Sequence, residues 1–234
     1  MLLEQRELKS TPSTQVLIAA LNEQEGIGLT ISELNKTLIN SRILVVDGRS
    51  TDRTVEVAMN MGAQVVFQVG LGKGDAIAKA IESLDLTVDY IVITDADYTY
   101  PAEHIPGMIQ ILEKNPDVGM ICGNRFGGYL DLKGLNGVFY MGNRFIALAH
   151  NFLNGISLVD PLSGLRVVRA GLLRDWRVKS KGFDVEVELN HRVERAGFGI
   201  VEVPIIYRER LGVKKLGVRH GFEILKRIML ETPL

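Results

Sequence analysis

Two carboxylates, Asp95 and Asp97, stand one small residue apart at the end of the apolar run Val92-Ile93-Thr94. Side chains alternate along a β-strand, so residues two apart project to the same face, and carboxylate oxygens grouped in this way suit a hard divalent cation such as Mg2+ or Mn2+. A metal-bound nucleoside diphosphate is the first ligand such a pair suggests. An isolated Asp-x-Asp is more often an Asp-rich turn, so its context has to decide between the two.

Other residues of the right chemistry follow the same rhythm. Asn22 and Glu23 come directly after an apolar run, and Asp47 ends the next one, ahead of Ser50, Thr51 and Asp52. Asp47, at a strand end, is expected to contact a ligand, whereas Ser50, Thr51 and Asp52 suit a turn and a helix cap. The segment Gly70-Leu71-Gly72-Lys73-Gly74-Asp75 brings backbone amides and one point charge to the opening of a helix, a natural setting for an anion, although it lacks the P-loop spacing. Cations that suit phosphate oxygens recur at Arg125, Arg144, Arg210 and Lys215. Among the remaining carboxylates, Glu186 and Glu188 fall in an expected helix, where residues two apart face different ways. Glu186 is expected to support the site and Glu188 to be structural or solvated. Asp160, before Pro161, is either a turn residue or an orienting group near an acceptor. The four histidines show no metal-ligand spacing and are expected to be structural or on the surface, and Trp176 and Tyr207 to pack.

The elements that must position these groups are short β-branched apolar runs alternating with longer amphipathic segments, the pattern of parallel strands joined by crossover helices. Strands are predicted at 15–21, 42–47, 63–68, 90–95, 118–123, 165–169 and 199–207, and helices at 26–39, 52–61, 75–84, 102–113, 184–196 and 218–230. The first, second and fourth strands end in polar stretches, and open α/β sheets bind ligands at such carboxyl ends. With 234 residues, one α/β domain is the simplest organisation: a nucleotide-binding half over about 15–125 and an acceptor-side half over about 126–234. A net charge of -1 and 24% charged residues carry no global mark of nucleic-acid binding. The single Cys122 excludes an intramolecular disulfide framework and fits a reducing compartment. The charged N-terminus lacks the apolar core of a secretion signal, and no run reaches about 18 apolar residues. A cytoplasmic location is therefore expected, with any membrane contact peripheral.

The ordered motifs Ala20-Leu21-Asn22-Glu23, Val46-Asp47-Gly48, Gly72-Lys73-Gly74, Asp95-Ala96-Asp97, Gly123-Asn124-Arg125-Phe126, Asp160-Pro161-Leu162-Ser163-Gly164, Gly182-Phe183-Asp184-Val185-Glu186-Val187-Glu188 and Val203-Pro204-Ile205 resemble the inverting family 2 glycosyltransferases of the dolichyl-phosphate mannose synthase type. The resemblance runs from about Gln15 to Leu230 and implies the GT-A fold, a mostly parallel, doubly wound sheet with helices on both faces. It implies that Ala20, Asn22, Glu23 and Asp47 contact the nucleoside of a UDP- or GDP-linked sugar, with Lys73 near it. Asp95 and Asp97 would hold Mg2+ or Mn2+ and the diphosphate. Arg125 and Arg210 would face the phosphates, with Lys215 nearby, and Arg144 would help to hold a polyprenyl phosphate acceptor. This sequence departs from the pattern in several places: Asp47 is followed by Gly48 rather than a second Asp, Arg49 replaces a common Gly, the tail Gly212-Val213-Lys214-Lys215-Leu216 lacks the Ser that commonly precedes the Lys, and Thr99 stands where relatives often carry a metal-binding Gln. Thr99 or water would complete the metal site.

A lipid phosphate is already an anion at neutral pH and needs cationic positioning rather than a general base, which is the role the planar fork of Arg suits. The expected activity is sugar transfer to a polyprenyl phosphate at the cytoplasmic face of a membrane. Residues 138–153 and the C-terminal helix offer apolar faces for that interface, although both would equally suit packing on the core. The alternatives are a GT-A transferase with a soluble acceptor, a sugar-nucleotide pyrophosphorylase, and a non-catalytic nucleotide-binding module.

Overall fold

The computed structural model describes residues 11–127, 137–155, 157–215 and 217–232. The N-terminal residues 1–10 and the stretch 128–136 of the Gly- and aromatic-rich run lie outside the described residues. Seven strands form one sheet: β1 (Thr14–Ala20), β2 (Arg42–Asp47), β3 (Gln64–Phe67), β4 (Tyr90–Asp95), β5 (Val118–Asn124), β6 (Arg166–Arg169) and β7 (Gly199–Pro204). Their order is β3-β2-β1-β4-β6-β5-β7. Only β6 runs against its neighbours, pairing antiparallel with both β4 and β5.

Helices cover both faces, as the alternation of the central strands requires. Val16, Ile18, Val45 and Val92 face α1 (Ile27–Thr37), α2 (Thr54–Asn60) and α4 (Ile105–Lys114), while Leu17, Leu44, Ile91 and Ile93 face α3 (Lys73–Ile81) and α6 (Val185–Arg195). These strands carry unbroken apolar runs, over 16–20, 43–46 and 90–93, because both of their faces are buried. The helices carry narrower stripes: Ile27, Ile31 and Leu34 in α1, and Ile105, Met108, Ile109 and Leu112 in α4, the spacing of one helical face. A third, smaller cluster joins Val187 of α6 to Ile146 of α5 (Gly137–Asn154) and to Ile224 and Ile228 of α7 (Val218–Glu231).

Two boundaries moved for local reasons. The helix expected from 52 begins at Thr54, after Arg53 at its N-cap, and the Asp52 carboxylate accepts the Thr54 amide at 2.9 Å in a local turn that precedes the helix. The helix expected from 75 begins at Lys73, after Gly72 at φ 88°, a backbone conformation that glycine adopts without strain. The last strand stops at Pro204, so Tyr207 lies beyond it.

The register aligns the chemistry. Ala20 pairs with Asp47 and Ala19 with Asp95, so the ends of β2, β1 and β4 form one row at the carboxyl edge of the sheet, where open α/β sheets place ligands.

Candidate active site

Alternation along β4 puts Asp95 on the same side as Ile91 and Ile93, toward α3 and α6. Both helices send a charged side chain to meet it. Lys73, the first residue of α3, lies 2.7 Å from Asp95 and 2.7 Å from Glu186 of α6, so one buried ammonium bridges two carboxylates. Burial disfavours the Lys73 charge, but the two anions outweigh it and hold the pKa above its ordinary value. Burial also disfavours the Asp95 charge, yet Lys73, followed by Arg125 and Arg210, lowers its pKa. Glu188 turns the other way, as its helical spacing predicts. It accepts the Trp176 indole N–H and the amides of Lys179 and Ser180, a purely structural set of partners.

The strand ends at Asp95, so Asp97 lies in the turn that follows, next to Tyr98 at φ 65°. Its Oδ1 accepts the Thr99 hydroxyl at 2.6 Å. Thr99 therefore shapes the Asp97 turn, its buried hydroxyl donating to Asp97. Burial, then the neighbouring Asp95, raises the Asp97 pKa. A second cluster forms around it. Arg210 reaches Asp97 at 2.5 Å and also pairs with Glu23, while Lys215 meets Glu23 at 2.5 Å and the Asn22 carbonyl at 3.2 Å. The chain carrying these cations is tied across the turn by Arg208 N–H to the Thr99 carbonyl and Leu211 N–H to the Asp97 carbonyl. Arg208 itself pairs with Glu33 of α1 and stacks over Tyr98.

A third cluster stands at the end of β5. Arg125 gives Nε and Nη2 to the two oxygens of Asp160, each at 2.7 Å, and its amide also donates to Asp160. Phe126 and Tyr207 lie 5.6 and 5.5 Å from the guanidinium, close enough for cation–π attraction. Asp160 is therefore an orienting group as well as a turn residue, with its side chain fully buried. Lys214, which sequence reasoning passed over in favour of Lys215, has its pKa lowered by burial and by the nearby charges of Arg125 and Arg210. Arg125, from the end of β5, therefore lies near the Arg210 and Lys214 of the C-terminal basic run.

Other predicted residues are placed differently. Asp47 is fully buried and its carboxylate accepts the Ser50 amide and hydroxyl, while the Ala20 carbonyl accepts the Gly48 amide. Asn22 is exposed, with φ 49°, and its side chain caps the Thr51 amide. The Gly72-Lys73-Gly74 turn was expected to offer amides to an anion. Instead the Gly74 amide donates to the Lys181 carbonyl, and a Cβ at Gly74 would overlap the Ser180 carbonyl. These glycines serve close packing of α3 on the 180–182 segment. Arg144 is exposed on α5, one residue from Asn143, whose amide reaches Asp160 at 3.2 Å.

The residues fit a divalent cation in one respect that matters. Asp95 and Asp97 act on each other electrostatically at one strand end, and Mg2+ usually takes only one or two protein carboxylates, leaving the rest of its shell to water and substrate phosphates. Among the described residues no group of three or more His, Cys, Asp or Glu side chains is placed to hold a metal alone.

A carboxylate pair at and just beyond the end of β4, with basic groups arriving from the far end of the chain, agrees with the family profile described as glycosyl transferase family 2, which matches residues 15–175. The chain belongs to that family. Among its relatives, this family 2 glycosyltransferase is 35% identical over 228 residues to a dolichyl-phosphate hexose transferase of Haloferax volcanii, with 94% of this chain and 95% of that protein covered. It is 31% identical over 217 residues to an undecaprenyl-phosphate mannosyltransferase of Micrococcus luteus, covering 86% of each. Glucosyl-3-phosphoglycerate synthase from Mycobacterium tuberculosis, solved with Mn2+, uridine diphosphate and its product, superposes with a TM-score of 0.72 at 20% identity, covering 94% of this chain and 80% of that one. At that identity the likeness speaks for the GT-A fold alone.

Proposed function

We propose that this glycosyltransferase moves a sugar, with inversion, from a nucleoside diphosphate sugar to a polyprenyl phosphate. The observation that carries the reading is the guanidinium of Arg125, held by Asp160 through two parallel bonds at the end of β5, with Arg210 on Asp97 beyond the end of β4. A planar guanidinium fixed in this way suits the oxygens of a donor or acceptor phosphate. The relatives named for dolichyl- and undecaprenyl-phosphate transfer support the same acceptor class.

In this reading Asp95 and Asp97 hold Mg2+ or Mn2+, which when bound neutralises charge on the departing diphosphate. Lys73 keeps Asp95 ionised and aligned, with Glu186 as its second anchor. Asn22, Glu23 and Asp47 border the nucleoside, Asp47 through the Ser50 turn that it shapes. Arg125, held flat by Asp160, presents its Nη1 edge to the acceptor phosphate, and Arg210 and Lys215 serve the phosphates from the opposite strand end. The nucleophile is a phosphate oxygen already carrying charge at neutral pH, so these residues align it and none has to remove a proton from it.

Approach to a lipid acceptor is supported by α5, which exposes Met141, Phe145, Leu148 and Phe152, and by α7 beside it, which exposes Phe222 and Met229. Spacings of four, three and four along α5 put its four residues on one face, and α5 contains no acidic residue. Such a face suits the interface of an anionic membrane. Among the described residues no helix is long and apolar enough to cross a membrane.

The test is incubation of purified protein with labelled UDP- and GDP-sugars, Mg2+ or Mn2+, and a polyprenyl phosphate in detergent. Labelled glycolipid whose formation is lost in Asp97→Asn is the expected result. Transfer only to a soluble acceptor such as phosphoglycerate would overturn the lipid reading while leaving the transferase intact.

A further inference from the structure

From Asp160 to Leu165 the chain between α5 and β6 is largely buried, yet forms no regular structure, and buried backbone groups there must find partners among side chains. Here they do so almost group by group. The carboxylate of Glu202, on β7, accepts the Val159 amide at 2.7 Å and the Asp160 amide at 2.6 Å. Arg166, buried on β6, donates to the Pro161 carbonyl at 2.7 Å and the Ser163 carbonyl at 2.8 Å. The Tyr100 hydroxyl accepts the Gly164 amide at 2.8 Å. The backbone of 159–164 is thus held by Glu202, Arg166, Tyr100 and Asn190, whose amide also donates to the Pro161 carbonyl, and of these four Glu202 takes the amides at the end that bears Asp160.

That end matters because Asp160 in turn grips Arg125. Two parallel bonds of this kind fix a guanidinium in plane and direction, and a displaced carboxylate would carry the guanidinium with it. Sheet register explains how a residue so far along the chain reaches this place. Glu202 pairs with Cys122 of β5, three residues before Arg125, so β7 delivers the clamp beside the strand whose end carries the arginine. Burial raises the Glu202 pKa, opposed by the two amides, as expected of a half-buried carboxylate that caps backbone rather than a solvated one.

We propose that Glu202 is a positioning residue for sugar transfer: by holding the amides of Val159 and Asp160 it sets Asp160, and through Asp160 the guanidinium of Arg125 that meets the acceptor phosphate. The inference rests on the acceptor role given to Arg125 above. It predicts an effect on the acceptor side alone, since Glu202 touches none of the groups around Asp95 and Asp97.

The experiment is a double-mutant cycle on full-length protein, with Glu202→Ala, Glu202→Gln, Arg125→Ala and the combinations, each checked for a cooperative thermal transition. Glu202→Ala should raise the acceptor KM on the order of tenfold, the scale of one to two hydrogen bonds to a charged group, and leave the donor KM unchanged. Glu202→Gln, which keeps one acceptor oxygen, should recover part of this and carries the test if the alanine variant does not fold. In the Arg125→Ala background either Glu202 substitution should cost less than about twofold, because coupled residues are not additive. An equal cost in both backgrounds, or a parallel rise of the donor KM, would reduce Glu202 to a structural residue and overturn the proposal. An unchanged acceptor KM in Arg125→Ala itself would instead refute the acceptor reading, and this inference with it.

Discussion

Lys73 provides the sharpest test of the site, because one ammonium serves two carboxylates. Replacing it by Met keeps the length and apolar stem of the side chain, and leaves Asp95 and Glu186 facing each other without a cation. At 2.7 Å and an effective dielectric near 20, each contact corresponds to roughly 6 kcal/mol of attraction, much of it offset by desolvation. Removing one partner of a buried pair costs about 3–5 kcal/mol. Since the Asp95 side chain is 29% exposed and water relieves part of its charge, about 3 kcal/mol is the expected loss. For a protein of this size that amounts to roughly 6–12 °C in Tm. Urea unfolding at pH 7 measures it directly, and adding Glu186→Gln to Lys73→Met should recover a large part, because only one buried charge then remains. The sign of the pH dependence provides an independent check. In the parent, the lowered Asp95 pKa adds stability above the unfolded carboxylate value near 4, lost as pH falls through the folded one. The raised Lys73 pKa adds stability that is complete below about 10 and lost only as pH rises beyond it. In Lys73→Met the two stranded carboxylates should instead hold protons more tightly when folded, so stability falls as pH rises from 4 to 7. A loss under about 1 kcal/mol, or a double variant no more stable than the single one, would refute the bridge.

Three further outcomes follow from other parts of the molecule. Gly164→Ala would place a methyl group against the Asp95 carboxylate, overlapping Oδ2 and lying 2.8 Å from Cγ; the thermal shift produced by uridine or guanosine diphosphate with Mn2+ should shrink, and transfer should fall by on the order of a hundredfold. His150 and His191, their rings tilted at 38° with centroids 5.3 Å apart between α5 and α6, are each held down to a pKa of about 4, chiefly by burial. Between pH 6.5 and 4 the unfolded chain therefore binds protons that the folded one refuses, and stability falls with pH by up to about 3 kcal/mol per histidine; urea midpoints across that range should show a shallower slope in His191→Phe than in the parent. Vesicles containing anionic lipid should float the parent, and Phe145→Glu with Phe152→Glu should abolish flotation while leaving transfer to a short-chain soluble acceptor analogue near its parent rate.

Much of the fold was legible because central parallel strands carry unbroken apolar runs and helices keep a narrow stripe, two signals that short windows carry. The carboxylates at the end of β4 were legible for a similar reason: Asp95 and Asp97 terminate an unmistakable strand. What they touch was not. The expectation that Asp97 shares the strand geometry of Asp95 stopped at the strand end, where Thr99 closes a local turn. Lys73 read as a phosphate-facing charge on a glycine turn, because no local pattern reveals that Glu186, more than a hundred positions away, lies on its other side. Glu202 was invisible altogether, since one acidic residue in Ile200-Val201-Glu202-Val203 looks like the solvent face of an edge strand. Its partner is an irregular segment whose needs arise only after folding.

The loop that Glu202 holds also bears on the two opposite electrostatic tasks of the proposed reaction. The leaving group calls for carboxylates that carry a cation and the acceptor for a guanidinium with one open edge, two groups whose charges attract each other. Each is instead given its own counter-charge, Lys73 for Asp95 and Asp160 for Arg125, and the segment 159–164 keeps the two pairs apart. It starts with Asp160 bound to Arg125 and ends with Gly164 in contact with Asp95, with Arg166 and Tyr100 holding the stretch between. The separation of the two functions is therefore a length of buried backbone, and side chains as distant as Glu202 and Arg166 set it.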